Sequence, residues 1–154
     1  MKKQSVLFIF LSAMLILFAC FCTREEPAGP TENDPPMLNK SVIDLADVKE
    51  LKFFGDSLAR RLRRSSIRYL SSNSLSAVTS VSVGIVDSVV FNTNAHYLDY
   101  RIRIRAFPNS LWYIVYNHVA EVKVKVGDKV QAGTILGRVG TGDLVDLQIG
   151  RAHV

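Results

Sequence analysis

Cysteine is scarce in this chain of 154 residues, and its placement excludes a disulfide framework. The two cysteines, Cys20 and Cys22, lie near the start, and none follows them. The region beyond Cys22 therefore cannot contain an internal disulfide, whatever compartment it occupies. The length favours a single domain with one modest hydrophobic core.

Histidine is almost as scarce, which limits imidazole chemistry. The chain has 3 histidines, and none of them lies between Ser41 and Gly84. His96 is followed by Asp99, but positions i and i+3 of a strand face opposite sides, so this pair is a poor metal chelate. The residues alone thus identify no metal site.

A hydrophobic run long enough to span a bilayer is also missing. The apolar block Val6–Ala19 is interrupted by Ser12 and falls short of the ~20 residues that a membrane span needs. Lys2 and Lys3 precede it, so residues 1–19 are predicted to be a cleaved export signal. An uncleaved apolar anchor is the alternative.

The end of this block, Leu17-Phe18-Ala19-Cys20, resembles the processing box of bacterial lipoproteins. The resemblance implies a diacylglycerol on Cys20 and an exported lipoprotein of the inner or outer membrane, facing the periplasm or the cell surface. Two or more acyl chains hold a protein stably on a membrane. The membrane is therefore the first expected partner.

Residues 20–40 are rich in Pro, Glu, Asn and Thr and are predicted to be a disordered tether. Without Lys2 and Lys3 the formal net charge falls from +5 to +3. The basic balance thus comes partly from the signal, and we expect no nucleic-acid partner.

Residues 41–70 are predicted to be a helical or irregular lead-in. Ser41 and Asp44 resemble a capping box, and apolar residues recur at helical intervals, namely Leu45, Val48, Leu51, Leu58 and Leu62. The following arginines, Arg60, Arg61, Arg63 and Arg64, fit a solvated helix face; docking on anionic lipid or wall polymer is the alternative.

From residue 71 to 148 the apolar residues alternate, which predicts a mainly β domain with an antiparallel, barrel-sandwich-like sheet. One strand is expected to bury Leu98, Tyr100, Ile102 and Ile104 and to expose Asp99, Arg101, Arg103 and Arg105. A second is expected to bury Val122, Val124 and Val126. Turns are predicted at Gly84, Gly127, Gly133 and Gly137.

The region from about Val81 to Gln148 resembles the β-sheet core of the lysostaphin-type zinc endopeptidases of peptidoglycan. The resemblance is carried by "GIV" (84–86), "YNHV" (116–119), "VKVGDKVQAGTILGRVG" (124–140) and "VDLQI" (145–149). It implies a zinc held by an upstream His-x-x-x-Asp pair and the second histidine of a terminal His-x-His. It also implies catalytic histidines at the first position of that pair and at His118.

The metal ligands of that family are missing here. The overlay places Asp146 and Gln148 at the two terminal histidine positions, and the upstream region contains no histidine. His118 alone matches a family catalytic position. The resemblance therefore implies a degenerate member without a confident catalytic residue or metal, and without a cofactor unless missing sequence restores zinc.

The last residues, 149–154, resemble the translation of a sequencing-library adapter. The sequence thus predicts a truncated domain whose native chain continues past Gln148, and His153 is not taken as a ligand. A genuine C-terminus is the alternative.

Three functions remain open from the sequence. The first is a membrane-anchored envelope lipoprotein that binds the cell wall or an envelope partner without catalysis. The second is a fragment of an active zinc endopeptidase of peptidoglycan. The third is a transport-adaptor or carrier-like domain, since the double-turn loop at 124–140 also occurs in biotinyl and lipoyl carriers.

Overall fold

A computed structural model of the chain describes residues 31, 33–59, 62–93 and 98–152. The predicted export signal, the lipidation site Cys20, His96 and His153 lie outside the described residues. No helix within these ranges combines the length and the apolar character that crossing a membrane requires.

The described ranges contain eleven strands. In chain order they are β1 (Val48–Lys52), β2 (Ser57–Ala59), β3 (Leu62–Arg63), β4 (Ile67–Ser71), β5 (Ala77–Thr79), β6 (Gly84–Phe91), β7 (Tyr100–Arg105), β8 (Trp112–Ala120), β9 (Lys129–Val130), β10 (Ile135–Val139) and β11 (Leu144–Arg151). Each pairing between them is antiparallel. The prediction of a mainly β, antiparallel fold is confirmed.

Nine strands form one sheet, and β8 lies near its middle. The main path is β1-β4-β11-β8-β7-β6-β9, while β10 joins β5 to the end of β8. The remaining strands, β2 and β3, form a separate hairpin. Strand β11 continues through Arg151, whose partner on β8 is Trp112, so three residues of the adapter-like tail take part in the sheet.

The helix predicted within residues 41–70 is wrong. Its residues form a 3₁₀ turn at Leu45–Asp47 and the strands β1 to β4, and the described ranges contain no α-helix. Leu45, Leu58 and Leu62, which recur at helical intervals in the sequence, are 70%, 53% and 60% exposed. Pairing of β1 and β4 in the sheet overrode a weak helical pattern that Gly55 already interrupted.

Part of the predicted tether contacts the domain. The indole Nε1 of Trp112 donates to the carbonyl of Asn33 at 2.7 Å. The amide of Asn39 donates to the carbonyl of Val81, also at 2.7 Å. Residues 33–40 are therefore attached to the sheet, whereas 20–30 lie outside the described residues.

The core is built from the inward faces of the central strands. Alternation places Ile102 and Ile104 of β7 in it, as predicted, with 0% and 1% exposure. The prediction fails at the start of the same segment, since Leu98 is 76% exposed and Asp99 is 0% exposed. Both residues precede β7, so the period of that strand does not extend to them.

The loop from Val122 to Gly137 also differs in part from the expected pattern. Val122 and Val124 pack against the core, but Val126 is 61% exposed and the segment 122–126 is outside the strands. Gly127 and Gly133 adopt φ of +93° and +91°, as turns require. Gly84 and Gly137, predicted as turn residues, lie inside β6 and β10, where a Cβ would meet backbone oxygens at 2.5 Å.

Among the described residues, Tyr116 has the largest fully buried side chain, and it connects β8 to the segment before β6. Its hydroxyl oxygen accepts a hydrogen bond of 2.8 Å from the amide of Val81. Burial raises the pKa of Tyr116, while this backbone hydrogen bond and the Ser80 side chain act in the opposite direction. The neutral phenol is thus the form that the fold accommodates.

We predict that Tyr116→Phe lowers the free energy of unfolding by about 1–3 kcal/mol, because the buried amide of Val81 loses its acceptor. Tyr113→Phe, which changes a half-buried tyrosine three residues earlier, serves as the control and is expected to cost less than about 0.5 kcal/mol. Urea denaturation followed by circular dichroism measures both. Equal losses in the two variants would contradict the assigned role of the hydroxyl.

The same tyrosine is expected to make the fold sensitive to alkali. Because the pKa of Tyr116 is raised in the folded state, the folded protein keeps a proton that the unfolded chain loses. The contribution of Tyr116 to the free energy of unfolding is therefore complete below about pH 10 and declines as the pH rises further. A part of this decline should disappear in Tyr116→Phe when unfolding is measured between pH 9 and 11.

Candidate functional site

Two β-bulges place additional polar residues on the outer face of the sheet. In β6, Val86 is opposite Ile104 and Ser88 is opposite Arg103, so β6 has one extra residue, Asp87. The valines on either side of this bulge, Val86 and Val89, both face the core. Asp87 and Ser88 consequently lie on the outer face together.

The second bulge is in β8 and contains His118. Tyr100 and Ile102 of β7 are opposite Val119 and Tyr116, so three residue steps of β8 match two of β7. Tyr116 and Val119 both face the core, and Asn117 and His118 lie between them. His118 has a φ of +65°, which is unusual for a residue other than glycine.

Strand β8 changes its partner at this bulge. Asn117 is opposite Asp146 of β11, whereas Val119 is opposite Val139 of β10. The turn that joins β10 to β11 begins at Gly140, where a Cβ would lie 2.6 Å from the carbonyl oxygen of His118. The absence of a side chain at residue 140 therefore allows β10, β11 and the bulge to meet.

The bulge brings the His118 ring against a buried carboxyl group. Nδ1 of His118 lies 3.0 Å from Oδ2 of Asp99, whose side chain is 0% exposed. The other oxygen of Asp99 accepts a hydrogen bond of 2.6 Å from Nδ2 of Asn92. The Asp99 carboxyl group therefore orients the imidazole, in the way that a carboxylate orients a functional histidine.

Asp146 lies on the other side of His118 and is paired with an arginine. Arg68 of β4 donates from Nε to Oδ1 of Asp146 at 2.7 Å and from Nη2 to Oδ2 at 2.6 Å. The two residues are directly opposite each other in the register of β4 and β11. Nε2 of His118 is 3.9 Å from Oδ2 of Asp146. This bidentate pair occupies both oxygens of the carboxylate.

Gln148 lies two residues further along β11 and lines a different part of the same face. A groove of about 420 Å³ is lined by Ser88, Val90, Arg101, Arg103, Tyr113, Val115 and Gln148. Ser88, Arg103, Val115 and Gln148 form one row across four strands. The guanidinium carbon of Arg103 lies 5.6 Å from the centroid of the Tyr113 ring.

The groove carries surplus positive charge. Arg103 and Arg105 both pair with the single carboxylate of Asp87, the Arg105 contact measuring 2.8 Å. Arg101 is exposed and has no ion-pair partner among the described residues. Arg101 and Arg103 thus line the groove with no acidic side chain beside them except Asp87, which Arg103 shares with Arg105, and the groove suits an anionic ligand.

The residues present do not fit a catalytic zinc. Such a zinc takes three protein ligands and keeps a fourth position for water. Both oxygens of Asp146 already accept hydrogen bonds from Arg68, and Gln148 offers only a neutral amide oxygen. In the part of the chain that the structure describes, no group of three or more His, Cys, Asp or Glu side chains is arranged to hold a metal ion.

The structure thus unites two of the residues singled out in the sequence, His118 and Asp146, and places Gln148 in the neighbouring groove. Sequence reasoning missed Arg68 and misplaced Asp99, which was expected on an exposed strand face. Nothing near Arg68 in the sequence indicates its partner, which is 78 residues away. The polar pairs inside apolar runs, Asp87-Ser88 and Asn117-His118, are the sequence signal for the two bulges.

Comparisons with known proteins agree on one family. A sequence model described as peptidase family M23 matches residues 68–151. A search of curated proteins found no match. Several solved structures resemble the chain.

The antimicrobial peptidase lysostaphin from Staphylococcus simulans matches with a TM-score of 0.58 and 17% identity, over 77% of this chain and 49% of that one. Csd3 from Helicobacter pylori matches with a TM-score of 0.57 and 22% identity, over 75% of this chain and 32% of that one. A variant catalytic domain of the prophage-encoded M23 protein EnpA from Enterococcus faecalis matches with a TM-score of 0.56 and 21% identity, over 66% of this chain and 79% of that one.

These three likenesses show the fold. The chain spans less than half the length of the lysostaphin and Csd3 structures that it matches.

We predict that Arg68→Met lowers the free energy of unfolding by about 3 kcal/mol, because Asp146 keeps a largely buried charge without its cation. In the double variant Arg68→Met/Asp146→Leu most of that loss should disappear, since neither charge remains. Urea denaturation of the two single variants and the double variant gives the coupling between the residues.

The control for this cycle is Glu50→Gln, which breaks the exposed Lys52–Glu50 pair with its 3.6 Å separation. Exposed pairs contribute at most about 1 kcal/mol. If the coupling energy between Arg68 and Asp146 is no larger than the loss of unfolding free energy in Glu50→Gln, the assigned pairing is contradicted.

Proposed function

The chain belongs to peptidase family M23, and from this premise we propose that its domain binds peptidoglycan without hydrolysing it. The single observation that carries the proposal is the Arg68–Asp146 pair, with its donor–acceptor distances of 2.7 and 2.6 Å. In the resemblance to the lysostaphin-type enzymes, Asp146 stands at the first histidine position of the terminal strand. A carboxylate held by a guanidinium there replaces an imidazole that would assist catalysis.

The neighbouring position supports the same conclusion. Gln148 stands where the resemblance places a zinc-binding histidine, and a carboxamide is a weak, neutral ligand. His118 keeps its family position and its partner Asp99. One oriented imidazole next to an arginine-bound carboxylate does not provide the three ligands that zinc requires.

The groove beside Gln148 is the proposed binding surface. The stem peptides of peptidoglycan carry free carboxylates, and guanidinium groups bind carboxylates through paired hydrogen bonds. Arg101 is the exposed cation of the groove, and Tyr113 adds a flat aromatic surface beside Arg103. Because these side chains project from paired strands, their positions are set before a ligand arrives.

We also propose that the domain is displayed on a bacterial membrane through a lipid on Cys20. The support comes from the sequence: a basic start, an apolar block and the Leu17-Phe18-Ala19-Cys20 box. An anchored binding domain would connect the membrane to the wall that it faces.

We predict that the full chain, purified in a mild non-ionic detergent, sediments with insoluble peptidoglycan. Arg101→Ala should weaken this binding by roughly 10- to 100-fold, the range expected when one charge-assisted hydrogen-bonding group is lost. The matched control is Lys123→Ala, which removes an exposed cation outside the groove. Sedimentation at increasing peptidoglycan concentrations measures the affinities.

Equal affinities of the wild type, Arg101→Ala and Lys123→Ala for peptidoglycan would show that the groove is not the binding surface. Binding that is abolished by soluble stem peptide and restored on its removal identifies the carboxylate-bearing peptide as the ligand.

We further predict that the chain retains well below one equivalent of zinc after incubation with excess zinc and dialysis, because the residues at 146 and 148 are poor ligands for it. Elemental analysis measures the metal, and the appearance of new amino groups in a peptidoglycan suspension measures cleavage. One equivalent of retained zinc together with released amino groups would show an active enzyme and refute the non-catalytic role, while leaving the binding result intact.

For anchoring, Cys20→Ala is expected to shift the protein from the membrane fraction to the soluble fraction of disrupted cells, because the acyl chains are lost. Cys22→Ala is the control and should remain with the membranes. A Cys20→Ala protein that stays in the membrane fraction would instead support an uncleaved apolar anchor.

A further inference from the structure

The hairpin of β2 and β3 combines exposed apolar side chains with arginines. We call residues 53–59 and 62–64 the arginine hairpin. Phe53, Phe54, Leu58 and Leu62 are 58%, 49%, 53% and 60% exposed. These ten positions contain Arg63 and Arg64 and one acidic residue, Asp56, and the sequence between β2 and β3 adds two more arginines. Within the sheet topology the hairpin forms a sheet of its own, separate from the nine-stranded sheet.

We propose that the arginine hairpin docks on an anionic lipid surface, with its phenylalanine and leucine side chains at the boundary between headgroups and acyl chains. This inference does not depend on the proposed binding of peptidoglycan. It concerns a different surface, formed by residues that precede β4, and a different class of partner.

Local hydrogen bonds give the hairpin a defined backbone. The amide of Gly55 donates to the carbonyl of Arg64, and the amide of Arg64 donates to the carbonyl of Asp56, each at 3.0 Å. The carboxylate of Asp56 accepts from the amide of Phe53 at 2.7 Å. The one acidic side chain of the hairpin is thus turned toward its own backbone.

Paired strands also satisfy part of the backbone before docking. Ser57 is opposite Arg63, and Ala59 is opposite Leu62. A membrane surface tolerates polar backbone groups only when they have partners or remain in the hydrated headgroup layer. A hairpin that lies in the interface meets this condition without refolding.

The chemistry of the hairpin favours lipid over a protein or a wall polymer. Leu58 and Leu62 have no ring to stack on a sugar, but together with the phenylalanines they insert readily among acyl chains. Arginines beside them match the negative surface of anionic lipids and exclude a purely apolar partner. Leu45 and Leu75 are also exposed, but they line a groove that contains Asp44 and Asp47 and no arginine, so they lack this combination.

The test places a fluorescent reporter in the hairpin of the full chain. Trp112 is the one tryptophan of the protein, so Trp112→Phe/Phe54→Trp moves the sole indole to the hairpin. The protein is reconstituted in vesicles of phosphatidylcholine, with or without about one third phosphatidylglycerol, and lipids with brominated acyl chains serve as quenchers. We expect blue-shifted emission and quenching in the anionic vesicles only.

Substitutions separate the two parts of the proposal. Arg63→Gln/Arg64→Gln should lower the ratio of quenched to unquenched tryptophan about 25-fold, since each arginine near an anionic surface contributes a factor of about five. Leu58→Ser/Leu62→Ser should lower the ratio as well. The matched control Leu45→Ser/Leu75→Ser makes the same change at exposed leucines outside the hairpin and should leave it unaltered.

Three results would overturn the inference. The first is equal quenching in vesicles with and without phosphatidylglycerol, and the second is no quenching in either. The third is an emission shift caused by insoluble peptidoglycan and not by anionic vesicles, which would assign the hairpin to the wall polymer. Unchanged circular dichroism of the nine-stranded sheet in each variant confirms that the fold is intact.

Discussion

Strand β8 must pair with three other strands, and this constraint organises the sheet and the candidate site together. It pairs with β7 along one edge and with β11 and then β10 along the other. The partner on this second edge changes between Asn117, opposite Asp146 of β11, and Val119, opposite Val139 of β10. The bulge that contains His118 lies at the same point, and Gly140 leaves room for it. The positive φ of His118 thus occurs where three strands meet β8.

The alternation of the strands explains how the fold and the chemistry of its outer face are separable. On β11, Val145 and Leu147 face the core with 0% and 2% exposure, while Asp146 and Gln148 face the other way. Substitutions at the outward positions leave the inward packing unchanged, because adjacent residues of a strand project to opposite faces. An M23 sheet can thus retain its core whichever polar side chains its outer face carries.

Electrostatics distinguishes the two halves of that outer face. Around His118, each charge has a specific partner, since Asp146 is held by Arg68 and Asp99 contacts the imidazole and Asn92. In the neighbouring groove, the arginines of β7 outnumber their acidic partner Asp87. Paired charges rigidify a surface, whereas surplus charge remains available for a ligand. The groove is accordingly the part of the outer face that is suited to binding an anionic ligand.

The sequence by itself determined the class of fold, the alternation within β7 and the turns at Gly127 and Gly133. These follow from local periodicity, from glycine conformation and from motifs of adjacent residues. Residue spacing did not predict the structure of the region before β4. A loose helical pattern is present there, but the residues form strands, and β1 is stabilised by pairing with β4.

Tertiary structure alone decided the pairing of Arg68 with Asp146, the burial of Asp99 against His118 and the meeting of β10 and β11 at the β8 bulge. Each depends on strand register between segments far apart in the chain, with Arg68 and Asp146 separated by 78 residues. Register is set by the packing of the whole sheet, so no local pattern encodes it.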